Sequence, residues 1–189
     1  MVSKSTNLKS KIGGFEGRKL EAGDAIGFTA PKTDLPNLGQ RKLPVPDFSA
    51  KEHELRVVLG PQDDCFPQSS IDTFFNNVYT ISNEYDRMGC RMQGPVIKHK
   101  IGGDIITDGI SFGAVQVPSH GNPIVMMADH QTTGGYTKIG NVISVDLPIL
   151  AQYMPGHKIR FKSVAIEVAQ YWYCREKKEL NELKAELNA

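Results

Sequence analysis

The 189-residue chain has only three cysteines, Cys65, Cys90 and Cys174, an odd number with no Cys-x-x-Cys pair. That argues against a disulfide framework and for thiols in a reducing compartment. A catalytic thiol at Cys90 is a weaker reading than a small packing residue. No stretch approaches about 18 consecutive apolar residues, so no membrane-spanning helix is expected. The opening MVSKSTNLKSKIGGFEGRKL lacks the apolar core of a secretory signal, which makes a cytoplasmic location the simplest expectation. Neither sign of charge is in surplus: 22 Lys and Arg against 21 Asp and Glu leave +1. A nucleic-acid or membrane-surface partner would need a clustered basic excess, so neither is expected. No Gly-x-x-x-x-Gly-Lys-Ser/Thr run exists to cradle a nucleotide phosphate. His120, His130 and Cys90 lack ligand-like spacing, and no metal site is expected.

What remains is an ordinary globular composition, 40% hydrophobic and 23% charged, enough for one domain or two small ones. The chain is organised around residues 104–139. Two apolar runs, Gly113–Val117 and Ile124–Ala128, flank Pro118-Ser119-His120-Gly121-Asn122-Pro123 and read as a buried hairpin. After the second run come Asp129, His130, Gln131, Thr132, Thr133, Gly134, Gly135 and Tyr136, a polar loop leaving a buried strand. Such a loop either carries functional groups or merely satisfies its own backbone.

Upstream, Arg18–Phe28 reads as strand, turn at Ala22-Gly23-Asp24 and strand, and Tyr153–Phe161 resembles it as a short internal echo. Residues 31–54, with Pro31, Pro36, Pro44 and Pro46, read as a linker or arm. Leu55–Leu59, Val78–Ile81, Ile97–Ile101, Ile105-Ile106 and Asn141–Val145 read as strands. Ser69 or Ser70 is placed as cap of a helix carrying Ile71, Phe74 and Phe75. Asp146 is placed as cap of a second short helix, Leu147–Gln152, with Pro148 just inside. From Ser163 a closing helix runs to the end, its first half docked, with Trp172 packing. The expectation is a mainly-β barrel with two short helices and a C-terminal helix.

Several phrases carry a family resemblance: SKSTNL (3–8), GGFEGRKLEAGD (13–24), RVVLGPQDD (56–64), SNEYDRMGCRMQGP (82–95), 104–136 through DHQTTGGY, and ISVDLPILAQYMPGHKIRF (143–161). The chain resembles the C-terminal part of the biotin-dependent carboxyltransferase-like family, also called allophanate hydrolase subunit 2. That family includes the C subunit of bacterial 5-oxoprolinase and the carboxyltransferase domain of urea carboxylase. The resemblance implies a cyclophilin-like β-barrel over residues 55–162. It also implies that residues 1–30 are a remnant of an upstream barrel half, and that 163–189 form the C-terminal helix. Gln93 stands where the family often has glutamate.

By the same resemblance the expected role is a subunit in ATP-dependent opening of 5-oxoproline to glutamate, not active alone. Its partners would be a companion B-like subunit and a third, lactam-utilisation subunit. ATP would be used by the complex, with its site on this or another subunit. Biotin enters only if the chain is a carboxyltransferase acting on urea, and the chain has no Met-Lys attachment pair. A non-catalytic regulatory protein binding the companion subunit is the competing class.

Such chemistry develops negative charge on a carbonyl oxygen. Thr132, Thr133 and the amides of Gly134 and Gly135 are candidate donors, and Gln116 and Gln131 can each read an amide. Asp129 or His130 is the candidate base or orienter, and Arg87 and Arg91 could hold a substrate carboxylate. Tyr136 closes the cluster. Against each stands a plain structural role, with Asp129 capping a turn and the arginines pairing with surface acids.

Overall fold

Alternation of apolar and polar residues sets the architecture, because successive side chains on a strand point to opposite faces. A computed structural model describes residues 3–8, 10–27, 39 and 48–188. The chain divides into Met1–Leu43 and Pro44–Ala189. That division falls inside the proline-rich stretch, of which residues 31–38 and 40–47 lie outside the described residues.

In the first unit β1 (Thr6–Asn7) and β2 (Ile12–Gly13) form a small antiparallel pair. The two strands expected over residues 18–27 are not formed, and Phe28 lies outside the described residues. Arg18 places its fork on Asp24 at 2.8 and 2.7 Å, and Asp24 also accepts from the Glu21 N–H at 2.7 Å. Side chains therefore hold this backbone, and no ladder does. The expected turn is present, with the Asp24 N–H donating to the Glu21 carbonyl. Its echo, Met154–His157, makes the same bond, and Gly23 and Gly156 both take a left-handed φ, +99° and +92°.

The second unit holds β3 (Glu52–Leu59), β4 (Val78–Tyr85), β5 (Gly89–Gln93), β6 (Asp104–Gly109), β7 (Ala114–Val117), β8 (Ile124–Met126), β9 (Thr133–Val142) and β10 (Lys158–Ser163). The order β3-β10-β4-β5-β8-β7-β9 closes on itself because β9 also pairs with β3, giving a seven-stranded barrel with β6 added outside β9. Among the described residues of this unit, β3 and β10 run parallel and the other pairs are antiparallel. Leu55, Val57, Tyr79, Ile81, Cys90, Met92, Val115, Val117, Val125, Ile139, Ile159 and Phe161 fill its interior. Burial pushes the Cys90 thiol up to about 12, in keeping with a packing role. The mainly-β barrel and the expected hairpin are both present.

Two short helices and a long one complete the unit: α1 (Gln68–Asn76), α2 (Leu147–Leu150) and α3 (Ile166–Asn188). Phe74 of α1 stacks on Phe161 at 4.4 Å between ring centres. Pro67, in extended conformation, takes the cap position that Ser69 or Ser70 was expected to hold. Ser70 instead accepts from the Lys98 N–H at 3.1 Å. The strand expected at Ile97–Ile101 is absent for a related reason. Its N–H groups go to three separate places, Ile97 to the Gly121 carbonyl, Lys98 to Ser70 and Lys100 to the Cys65 carbonyl.

Asp146 stands before α2 as expected but makes no side-chain cap. Its buried carboxylate binds the Arg56 guanidinium and the Arg56 N–H instead. That pairing raises the Arg56 pKa. Arg56 also lies 4.8 Å over the Trp172 ring, tying the first half of α3 to the barrel. At the barrel end where β3 and β10 begin, the Tyr153 ring lies 4.6 Å from His53 and 5.2 Å from His157. His53 Nε2, Tyr153 Oη and His157 Nδ1 are buried without hydrogen-bond partners among the described residues. Burial first, and the neighbouring His157 second, lower the His53 pKa.

Two outcomes are expected. Asp146→Ala should lower stability by about 3 kcal/mol, because it leaves a partly buried guanidinium unpaired, whereas replacing both partners with apolar residues should cost less. Thermal unfolding of the single and double variants checks this. Because His53 is harder to protonate in the folded chain than in the unfolded one, its contribution is complete above the ordinary value of 6.5 and shrinks as pH falls below it. A melting temperature insensitive to pH between 7 and about 5, or a slope unchanged in His53→Gln, would contradict that assignment.

Candidate functional site

Along its length β9 pairs with β6, β7 and β3 in turn. Thr133, Gly134, Gly135 and Tyr136, expected in a loop, are its first residues. The strand then continues through Thr137, Lys138 and Ile139, all buried. Thr137 and Ile139 alternate with Lys138, which lies on the opposite face from the barrel core. Its neighbour across β7 is Gln116, and across β6 Asp108 stands opposite Gly134. Opposed residues of an antiparallel pair present their side chains on one face. Gln116, Lys138, Gly134 and Asp108 therefore share a face, beside a second apolar cluster of Ile110, Ala114 and Met126.

At this face a lysine side chain only 3% exposed donates from Nζ to Asp108 Oδ2 at 2.7 Å. Gln62, from the turn after β3, fixes both. Its Oε1 accepts from the Lys138 N–H at 3.1 Å, its Nε2 donates to Asp108 at 3.1 Å, and its own N–H donates to the Lys138 carbonyl. Asp108 Oδ1 takes the Gly109 N–H at 2.7 Å. The Lys138 hydrogen bond, helped by Gly109 and Gln62, lowers the Asp108 pKa. The result is a fixed ammonium with a buried stem beside a half-exposed carboxylate. Such a group can stabilise developing negative charge with no reorganisation.

Gln116 is 2% exposed, and its Nε2 has no hydrogen-bond partner among the described residues. A Cβ on Gly134 would lie 3.3 Å from that nitrogen, 3.5 Å from Gln131 Nε2 and 2.7 Å from Ile110. Both amide nitrogens therefore border Gly134, and the tightest neighbour of a side chain there is the flexible end of Ile110. A buried amide left unpaired costs about 1–3 kcal/mol, so it marks a position from which a ligand or water can accept a bond.

The other expected site residues fall elsewhere. Arg87 and Asp129 bind each other, Nε to Oδ2 at 2.6 Å and Nη2 to Oδ1 at 2.9 Å, both exposed. Together with the Asp129 N–H to Arg87 carbonyl bond, this clamps the loop after β8 onto the turn before β5. Asp129 is held below the usual carboxylate range, chiefly by the Arg87 hydrogen bond. His130 Nδ1 lies 2.7 Å from the Gln131 carbonyl. Gln131, Thr132 and Thr133 are exposed; the Thr132 carbonyl accepts from Ile110 and Thr133 stands opposite Gly109. Gly135 lies against the Ile105 carbonyl, and Tyr136, 41% exposed, stands opposite Asp104. Arg91 faces a separate cleft of about 500 Å³ with Glu84, Gln93, His120 and Asn122, and pairs with Glu84 at 3.5 Å. Among the described residues no group of three or more His, Cys, Asp or Glu could hold a metal.

Gln116, Gln131 and Gly134 are thus brought together, while Arg87, Asp129 and Arg91 are not part of that group. Lys138, Asp108 and Gln62 were not foreseen. A signal for Lys138 did exist: a single lysine between Thr137 and Ile139, in a stretch otherwise free of charge, that a strand would bury.

A family model for the carboxyltransferase domain, subdomain A and B, matches residues 1–163. The C subunit of the Haemophilus influenzae 5-oxoprolinase is 38% identical over 165 residues, covering 87% of this chain and 52% of that protein. The C subunit of the Escherichia coli 5-oxoprolinase is 37% identical over 170 residues, covering 89% and 53%. The chain therefore spans about half the length of the curated relatives it matches. Among solved structures the Kluyveromyces lactis urea amidolyase is alike in fold. It has a TM-score of 0.78 and 24% identity over 96% of this chain and 12% of that one.

Lys138→Met should return the Asp108 carboxyl toward its ordinary value of 3.8. A carbon-13 NMR titration of the side chain reads this directly. Because the folded pKa is depressed, the pair's contribution is present above that value and lost as pH falls through the lowered one. An unmoved midpoint in Lys138→Met would assign the depression to Gly109 and Gln62 instead.

Proposed function

This chain belongs to the family of carboxyltransferase domains, subdomains A and B, and on that premise we propose that it serves as a subunit in ATP-dependent opening of 5-oxoproline to glutamate. The support is the 37–38% identity to relatives named as the C subunit of 5-oxoprolinase. Within the chain, the reading rests on one observation, the Gln62–Asp108–Lys138 network beside the unpaired Gln116 amide. Its partners in this reading are the companion B-like subunit and the lactam-utilisation subunit, and the ATP site lies on another subunit.

The chemistry asked of the site is modest. One water adds across the ring amide, its hydroxyl to the carbonyl carbon and its proton to the ring nitrogen as the carbon–nitrogen bond breaks. A second water is consumed in cleaving ATP to ADP and phosphate on the other subunit, which drives the opening. Negative charge builds on the carbonyl oxygen as water adds. The Lys138 ammonium, fixed by Asp108 and Gln62, stabilises that oxygen, and Gln116 donates a second hydrogen bond to it. The Gln131 carboxamide reads the ring N–H through its oxygen. Asp129 is assigned to the loop clamp with Arg87, because its lowered pKa and two occupied oxygens make it a poor proton acceptor.

ADP release by this chain mixed with its companion subunits, with and without 5-oxoproline and with urea as control, tests the reading. Release should require both 5-oxoproline and this chain. Lys138→Met should lower kcat by about a hundredfold or more, as removal of an oxyanion donor does. Asp129→Ala should change it by less than about tenfold while lowering stability. Well-folded protein that supports no substrate-dependent release, with every subunit present, would sink the catalytic role and leave a binding protein. Dependence on urea instead would move the chain to the carboxyltransferases, with biotin as the carrier.

A further inference from the structure

The site's outer boundary is β6, and this strand is unusually bare. Among the described residues it pairs with β9 alone and is the last strand of its sheet. Asp104, Ile106, Thr107, Asp108 and Gly109 are exposed and Ile105 is half-buried. Since strand residues alternate between faces, exposure of almost every one means that, among the described residues, neither face is closed over, Lys138 and Gln62 reaching Asp108 alone. Ile106 is 95% exposed, and Ile101, just before the strand, is fully exposed. Val96 and Tyr136 add further exposed apolar surface.

Scattered exposed aliphatics are ordinary. A free sheet edge built from Ile-Ile-Thr is not, because it offers unpaired backbone groups and strong strand formers at once. Proteins blunt such edges with charged side chains, lysine above all, with proline, with bulges or with a covering element. This strand has no lysine or proline; Asp104, Asp108 and an irregularity in its pairing with β9 are the blunting features it has, and among the described residues no element covers it.

The charges on β6 select what can bind there. In a second copy paired antiparallel about Ile106, Asp104 of each copy would face Asp108 of the other. Paired parallel in register, each aspartate would face its own equivalent. Like charges directly opposite are destabilising, so self-pairing in either of these registers is disfavoured. Asp108 is already engaged by Lys138, whereas among the described residues Asp104 has a 3.5 Å contact from Ser119. An added strand therefore fits best with apolar side chains over Ile106 and a lysine or arginine opposite Asp104.

We propose that β6 is the docking edge for such a strand from the companion subunit, which adds to the barrel sheet by main-chain pairing. This rests on the functional reading given above. Docking there brings the companion's backbone beside Asp108, the exposed member of the Lys138 network. The site would then be finished at the junction of the two proteins.

Hydrogen exchange of the chain, alone and with the purified companion B-like subunit, tests this alongside size-exclusion chromatography. The amides of residues 105–109 should slow by about tenfold or more in the complex. Ile106→Lys and Asp104→Lys should each weaken the complex by about tenfold while leaving the chain folded, since both side chains are exposed. A complex that forms with β6 unprotected and with Ile106→Lys binding unchanged overturns the docking edge and leaves the functional reading intact. Absence of any complex between folded proteins overturns both. Concentration-dependent protection of β6 in the chain alone assigns the edge to a second copy and overturns the companion.

Discussion

The three-sided pairing of β9 is the constraint on which the rest of the second unit depends. Its far end closes the barrel through Val57↔Val142 and Leu59↔Gly140. A side chain at Gly140 would meet Val57 at 2.5 Å and the Val58 carbonyl at 2.8 Å, so closure needs glycine there. Its middle pairs with β7 and its near end carries β6. Once those ladders form, Lys138 stands opposite Gln116 on the outer face while Thr137 and Ile139 are buried, with β9 gaining one residue on β7 just after Lys138. A buried ammonium must then be paired, and Asp108 and Gln62 are what the neighbouring strand and turn provide.

Much of this architecture was legible in the sequence, and the failures have physical causes. The strands with alternating Leu, Val, Ile, Tyr and Phe were visible because half-buried strands repeat every two residues. The hairpin of β7 and β8 was visible because breakers separate two apolar runs. The first half of β9 was not, since Thr-Thr-Gly-Gly-Tyr has loop chemistry. Pairing with β6 overrides that weak local preference. Residues 97–101 read as a strand from their composition, yet their donors are satisfied by three different segments. Ser70 and Asp146 read as caps, but tertiary partners, Lys98 and Arg56, claimed them first.

The site divides along the same line. Gln116, Gln131 and Gly134 were singled out as amide-reading and close-approach residues, and the fold places them together. The Lys138 network could not be assembled from local pattern, because Gln62 bridges to positions 46 and 76 residues away. Only barrel closure brings the turn after β3 to the middle of β9. Arg87 and Asp129, 42 residues apart, were separately assigned substrate and base roles, and their mutual bond was not foreseeable either.

Two features of this face run against stability, and that bears on what it is for. A lysine buried to its tip and an amide nitrogen without a partner both cost free energy that an apolar strand would not. Neither belongs to the core cluster that fills the barrel interior. The Arg87–Asp129 pair behaves oppositely: it is exposed, satisfied on both oxygens and bonded through its backbone as well, as a structural clamp should be. Reactive chemistry is better served by groups whose bonding is unfinished. In the proposed lactam opening the ring carbonyl needs donors already in place, and it needs them in a site closed to bulk water. Lys138 and Gln116 meet the first requirement from within this chain. Asp108 stays half-exposed at the edge of β6, and in the docking proposal the added strand is what meets the second requirement.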